Sequence, residues 1–204
     1  MHFPPLPREF YDRDPADVAR ELLGKRVFLE TAQGLCGGRI VEVEAYLSQR
    51  DSACHAHRGR TKKNASMFGP PGHAYVYMIH ARWCLNAVTQ GEGIASAILI
   101  RALEPLDGIV DMQTRRGTDK LFDLCRGPAR LCQALGITRD QDGLDLTLGR
   151  ELWIGGDPEF VLTPRQIIRS PRIGVSSAQS RLLRYSVADS RFVSGRRNSK
   201  SIPK

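Results

Sequence analysis

Alternation of apolar and polar positions is clearest in Arg39 to Tyr46, RIVEVEAY. Side chains on a strand point to opposite faces in turn. Val41, Val43 and Ala45 are therefore expected on one face, and Ile40, Glu42, Glu44 and Tyr46 on the other. The second face sets two carboxylates beside an aromatic ring, and His55 follows after a short polar loop. Taken alone, the stretch reads most simply as a hairpin strand with a solvated acidic face. The rest of the chain shifts that balance.

Before this strand, Asp14-Pro15 opens a helix, with Asp14 as N-cap, Pro15 at the first helical position and Asp17 in the first turn. Val18, Leu22 and Leu23 form its buried stripe, and Gly24 suits the position just past its end. Arg26 to Glu30 reads as a strand, and Thr31 to Gly38, with three glycines, as the turn back. Leu47 to Ala74 is a polar connection of unusual length, the kind that tends to be functional. It carries Arg50, Arg58, Arg60, Lys62 and Lys63, and an apolar plug, Met67-Phe68, before a tight Gly-Pro-Pro-Gly turn. Tyr75 to Asn86 is β-prone, with Tyr75 and Tyr77 on one face. Ala95 to Leu103 reads as a buried strand with Arg101 near its end, where an unpaired charge would cost several kcal/mol. Pro128 opens a helix running to Leu135. Trp153-Ile154, Arg172 to Val175 and Tyr185 to Val187 read as short closing elements.

Composition is that of an ordinary soluble globular protein, with 41% hydrophobic and 25% charged residues in 204. The chain has no apolar run of the roughly 18 residues that a membrane span requires. No secretory signal is visible at MHFPPLPREF. The five cysteines are scattered without a CxxC pair, which points to reduced thiols in a cytoplasmic setting. The net charge of +8 is unevenly placed. Pro164 to Lys204 carries ten Lys or Arg against Asp189, a net +9, which leaves −1 for residues 1–163. A basic end on a nearly neutral body suits a polyanion partner.

A strand carboxylate, several flat side chains, a buried arginine and many phosphate-binding cations suit an enzyme acting on a flipped-out nucleobase. A cationic base gains up to ~2 kcal/mol between desolvated rings. A positioned carboxylate can activate water or stabilise charge developing on the sugar. No metal or cofactor is needed for this, and the spacing of Cys54, His55 and His57 fits no zinc pattern. Two other classes stay open: a non-catalytic binder of damaged or single-stranded nucleic acid, and a metallohydrolase built on His55, His57 and His73.

The blocks VEVEAYL, SACHAHRGRTKKNASMFGPPGHAYVYMIHARWCLN, AILIRALEP and RGPARLCQALGI, in that order, resemble the alkyladenine (3-methyladenine) DNA glycosylase family. The resemblance implies a single α+β domain. With no linker that splits the chain it is expected over residues 1–204, and the Pro-rich start and basic tail are expected to leave 1–10 and 195–204 irregular. It would be built on a curved, mostly antiparallel β-sheet with flanking helices and a protruding hairpin. The resemblance implies a monofunctional hydrolase; a monomer is the default expectation, and the reduced thiols place it in the cytoplasm with the nucleoid, or in the nucleus of a eukaryote. The substrate would be double-stranded DNA containing alkylated purines, 3-methyladenine first and 7-methylguanine next. By the same resemblance Glu44 would be the general base and Arg101 would help hold the nucleophilic water. Tyr46, His55 and Tyr77 would line the base pocket. Asn86 would crowd the exocyclic amino group of normal guanine. One departure stands out. The family's YLIYGMHWCLN-like segment is here YMIHARWCLN, one residue shorter, with His80 nearest the place of the tyrosine that wedges into the vacated stack. Met78 or Arg82 are the other candidates for that role.

Overall fold

The computed structural model describes residues 3–195. A short helix α1 (Arg8–Tyr11) precedes α2 (Pro15–Leu22), so the expected irregular start ends at residue 7. Tyr11 is wholly buried, and that burial anchors the first helix. In α2 the Asp14 carboxylate accepts the Ala16 N–H at 2.8 Å, and Val18, Ala19 and Leu22 face the core. Then come β1 (Arg26–Thr31), β2 (Gly34–Tyr46), β3 (Ala74–Ile79), β4 (Arg82–Thr89) and β5 (Ser96–Asp107). Three helices follow, α3 (Ile109–Arg116), α4 (Leu121–Leu124) and α5 (Pro128–Leu135), and then β6 (Leu152–Gly155), β7 (Ile167–Ser170) and β8 (Arg184–Val187).

The eight strands form one sheet in the order β3-β4-β5-β2-β1-β6, with β8 joining β2 and β7 joining β8. All these pairings are antiparallel. The fold class is α+β. Strand β2 is its spine. Residues 34–39 pair with β1 on one edge, whereas residues 42–44 pair with β8 on that same edge. Irregularities against β5 fall between Gly37 and Gly38 and on both sides of Glu42. The change of partner and the bulges bend the sheet.

Two expectations fail along this strand. The three-glycine stretch is strand from Gly34 onward, and only Ala32-Gln33 turn. A Cβ on Gly37 would sit 2.2 Å from the Val27 carbonyl oxygen, and one on Gly38 2.3 Å from that of Glu104. Glycine is there for backbone approach rather than for a loop. The bulge beyond it puts Ile40 in the main core together with Val41, so Ile40 leaves the face of Glu42.

Beyond the bulge, parity holds. Val43, Ala45, Ala74, Val76, Leu85, Ala87, Ile98, Ile100 and Ala102 join the core on one face, against α2, α3 and α5. The other face is covered by the segment 47–73, which is not structureless. It holds two 3-10 turns, and Asp51, Cys54, Ala56, Asn64 and Met67 are buried. Cys54, Ala56 and Met67 pack with Tyr75, Val88 and Ala97 in a second cluster. Arg172 to Val175 is not a strand; the element paired with β8 is β7, just before it. Of the basic end, Arg172 and Arg184 are turned inward onto Asp51 and Glu42, and residues 196–204 lie outside the described residues.

Candidate active site

Register assembles the site. Glu44 is paired with Leu99, Leu99 with Asn86, and Asn86 with Tyr75, in one row across four strands. Side chains in such a row share a face, with neighbouring strands about 4.8 Å apart. The next row toward the hairpin tip pairs Cys84 with Tyr77. Register and strand alternation together therefore bring Glu44, Tyr46, Tyr75, Tyr77 and Asn86 to the face beneath the 47–73 segment.

Glu42 and Glu44 are both completely buried, which excludes a solvated acidic face. Burial of two carboxylates is tolerated because each is paired and hydrogen-bonded. Glu44 Oε1 accepts the Ile173 N–H at 2.7 Å, and Oε2 accepts the Tyr46 hydroxyl at 3.0 Å. Arg101 Nη1 lies 3.1 Å from Glu44 Oε2, and its Nε donates to Glu42 Oε1 at 3.0 Å. Arg101 thus bridges the two acids. Glu42 also takes Arg184 Nε at 2.6 Å and the Ser194 backbone N–H at 2.6 Å. Burial pushes the Glu42 carboxyl up, but the Arg101 and Arg184 charges outweigh it and hold it below the usual carboxylate range. Glu42 is therefore an internal counterion rather than a surface acid.

Tyr46, His55, Tyr75, Tyr77 and Asn86 line a cavity of about 290 Å³ together with Cys54, Met67 and the 174–177 segment. His55 Nδ1 meets the Tyr75 hydroxyl at 3.0 Å. The His55 and Tyr77 rings meet edge to face with centroids 4.4 Å apart, and Tyr75 and Tyr77 stack at 5.3 Å. Desolvation against this wall lowers the His55 pKa from its ordinary value, which favours the neutral imidazole. Burial pushes the Tyr46, Tyr75 and Tyr77 phenols up, so they stay protonated donors. The Asn86 amide nitrogen donates to the Tyr75 carbonyl at 2.9 Å and more weakly to Cys84. Its remaining polar atom is the oxygen, an acceptor. Tyr46 differs from the other rings. It carries the Arg172 guanidinium 4.6 Å from its centroid.

His80 sits elsewhere, exposed at the tip of the β3–β4 hairpin. His80 and Ala81 have φ of +47° and +58°, as a two-residue type I′ turn requires. Ile79, 45% exposed, falls on the Tyr75–Tyr77 face and lines both this cavity and a neighbouring one of about 670 Å³. That second cavity is flanked by Arg58, Lys63, His80 and Arg139. Trp83 lines it as well and is only partly buried. A groove of about 1040 Å³ lined by Phe3, Leu23 and Phe160 is larger than either, yet it holds none of the expected site residues.

The three histidines of the metallohydrolase alternative are dispersed. His55 meets Tyr75, His57 the Gln49 carbonyl, and His73 lies against Arg8 and Asp145. Among the described residues no group of three or more His, Cys, Asp or Glu could hold a metal ion. Arg126 holds the last of the described residues, donating to the Val193 carbonyl at 3.0 Å. Sequence reasoning missed Asp51, Arg172, Ser194 and Ile79. For Ile79 the signal was present, two positions beyond Tyr77. For the others it was absent, because their partners are distant in sequence.

Residues 9–191 match the family model described as methylpurine-DNA glycosylase. A protein of Methanoculleus marisnigri named "Putative 3-methyladenine DNA glycosylase" is 47% identical over 94% of this chain and 99% of its own length. Proteins with the same name from Burkholderia lata and Mesorhizobium japonicum are each 46% identical. They match over 93% and 96% of this chain and 91% and 92% of their own lengths.

Proposed function

The chain belongs to the methylpurine-DNA glycosylase family, and on that footing we propose that it excises alkylated purines from double-stranded DNA, 3-methyladenine first and 7-methylguanine next. Membership makes it a hydrolase of N-glycosyl bonds; the lesion, the water-activating group and the base-holding residues are our reading. One observation carries it: the wholly buried Glu44 carboxylate is joined through the Tyr46 hydroxyl to a ring-lined cavity.

In this reading the damaged nucleotide swings out of the duplex and its base enters the cavity among Tyr46, His55 and Tyr77. An ionised carboxylate has about four acceptor positions. Ile173, Tyr46 and Arg101 occupy three of them on Glu44, which leaves one for a water proton. Glu44 takes that proton while the water oxygen bonds to the sugar anomeric carbon. The bond from that carbon to the purine nitrogen breaks, and its electron pair leaves with the base. A purine alkylated at N3 or N7 is cationic, so it departs neutral and needs no acid. Arg101 fixes the carboxylate and balances its charge. The exposed cations Arg58, Arg60, Lys62 and Lys63 suit the phosphates beside the lesion.

Chromatography of bases released from methylated DNA tests this directly. The wild-type chain should release 3-methyladenine and 7-methylguanine. Glu44→Gln should still bind the DNA while excision falls by roughly 10² or more. Excision at the wild-type rate by this variant would remove Glu44 from its role. If the wild type binds damaged DNA but frees no base, the chain is a binder and not a catalyst.

A further inference from the structure

We propose that Arg172 is a positioning residue for base excision, holding the Tyr46 ring and the Glu44 carboxylate in one fixed relation; this rests on the reading that those two groups serve the flipped base. Its side chain is completely inaccessible, so it is not a phosphate contact. Nη1 donates to Asp51 Oδ2 at 2.5 Å and Nη2 to Asp51 Oδ1 at 2.7 Å, a two-pronged pair. Nη1 also donates to the Ala45 carbonyl at 2.9 Å. Ala45 stands between Glu44 and Tyr46, so this bond grips β2 at the one residue adjoining both. The guanidinium lies 4.6 Å from the Tyr46 centroid, and Arg172 is not among the residues lining the cavity. It therefore packs on the ring without itself lining the slot. The next residue completes the set, since the Ile173 N–H binds Glu44 at 2.7 Å.

Asp51 extends the grip to the opposite wall. Its oxygens also accept the Leu47 and Ala53 N–H groups at 3.2 Å each, at the start of the segment that carries His55. One buried ion pair thus couples the strand that carries the acid to the loop that carries the facing ring. Well-packed apolar residues stabilise a fold as well as a buried pair does, so stability alone gives no account of this one. Position does. A guanidinium can fork onto a carboxylate and lie flat on a ring at once, whereas an ammonium is a point charge that does neither.

The test uses Arg172→Lys and Asp51→Asn in the full chain, with methylated DNA as substrate and ring-labelled tyrosine for NMR. The chain has five tyrosines, and Tyr11 and Tyr185, wholly buried in the core away from the slot, report on the fold. In Arg172→Lys we expect kcat to fall about a hundred-fold with KM nearly unchanged, the effect of misplacing reacting groups by about 1 Å. The Tyr46 ring resonance should move while those of Tyr11 and Tyr185 stay, and Asp51→Asn should shift all readouts the same way. Wild-type turnover in Arg172→Lys overturns the proposal. So does a rise in KM alone, or a loss in both variants that moves Tyr11 and Tyr185 together with Tyr46, since that is general unfolding. If the wild type releases no base, the glycosylase reading fails, and the ring resonances still decide whether Arg172 holds Tyr46.

Discussion

Glu42 and Glu44 differ by two positions and share a face, yet their surroundings assign them different work. Glu42 meets two guanidiniums and a backbone N–H, so its charge is consumed internally. Glu44 meets one guanidinium and two single donors, and it borders the aromatic slot through Tyr46. Arg101 is shared between them. Arg101→Ala leaves Glu44 buried without its ion-pair partner. Loss of one partner from such a group is expected to cost about 3–5 kcal/mol of stability, read by denaturant titration. Under conditions where the variant stays folded, excision should fall far more than DNA affinity. An affinity loss with normal turnover would make Arg101 a phosphate clamp instead.

Strand parity carried most of what was legible in the sequence. Positions 44, 46, 75 and 77 could be put on strand faces from alternation; Asn86 was marked only by the family resemblance, and the hairpin register brought it beside Tyr75. Ile40 was misplaced because the bulge around Glu42 arises where β2 exchanges β1 for β8, and nothing local announces a partner more than 140 residues away. Asp51 and Arg172, 121 residues apart, were illegible for the same reason. Helix α3 was missed because charged and polar side chains crowd its short span, with only Met112 buried. At the hairpin the shorter turn is explained by two consecutive left-handed residues, His80 and Ala81, which allow a two-residue connection. That turn carries a polar tip, with Met78 and Ile79 exposed behind it. If His80 supports extrusion of the base, His80→Ala should lower the excision rate on duplex DNA more than on single-stranded DNA. Equal loss on both substrates would move the wedge to another residue of the hairpin.

For the molecule as a whole, the cations named so far fall into two populations, one buried and one exposed. Arg172 and Arg184 are spent inside, while Arg58, Arg60, Lys62 and Lys63 stay exposed next to the slot. The internal population sets the response to acid. Burial pushes the Asp51 and Glu42 carboxyls up, but Arg172 in one case and Arg101 with Arg184 in the other outweigh it, so both are held below their ordinary values. A depressed folded-state pKa contributes stability that is complete above the unfolded value, about 4 for these groups, and is lost as pH falls through the folded one. The urea midpoint should therefore decline as pH drops below about 4, and less steeply in Asp51→Asn. A midpoint that stays level to pH 3 would show that these pairs do not carry acid sensitivity.

Ser194, near the last of the described residues, closes onto Glu42 and Arg101, and Arg172 secures the acid strand laid down well over a hundred residues earlier. A nascent chain halted before Arg172 would have most of the sheet but an unsecured Glu44. Unfinished translation products and chains clipped after Ser170 should therefore be inert. The acid pair on the central strand is thus fully closed only once the chain has been made as far as Ser194.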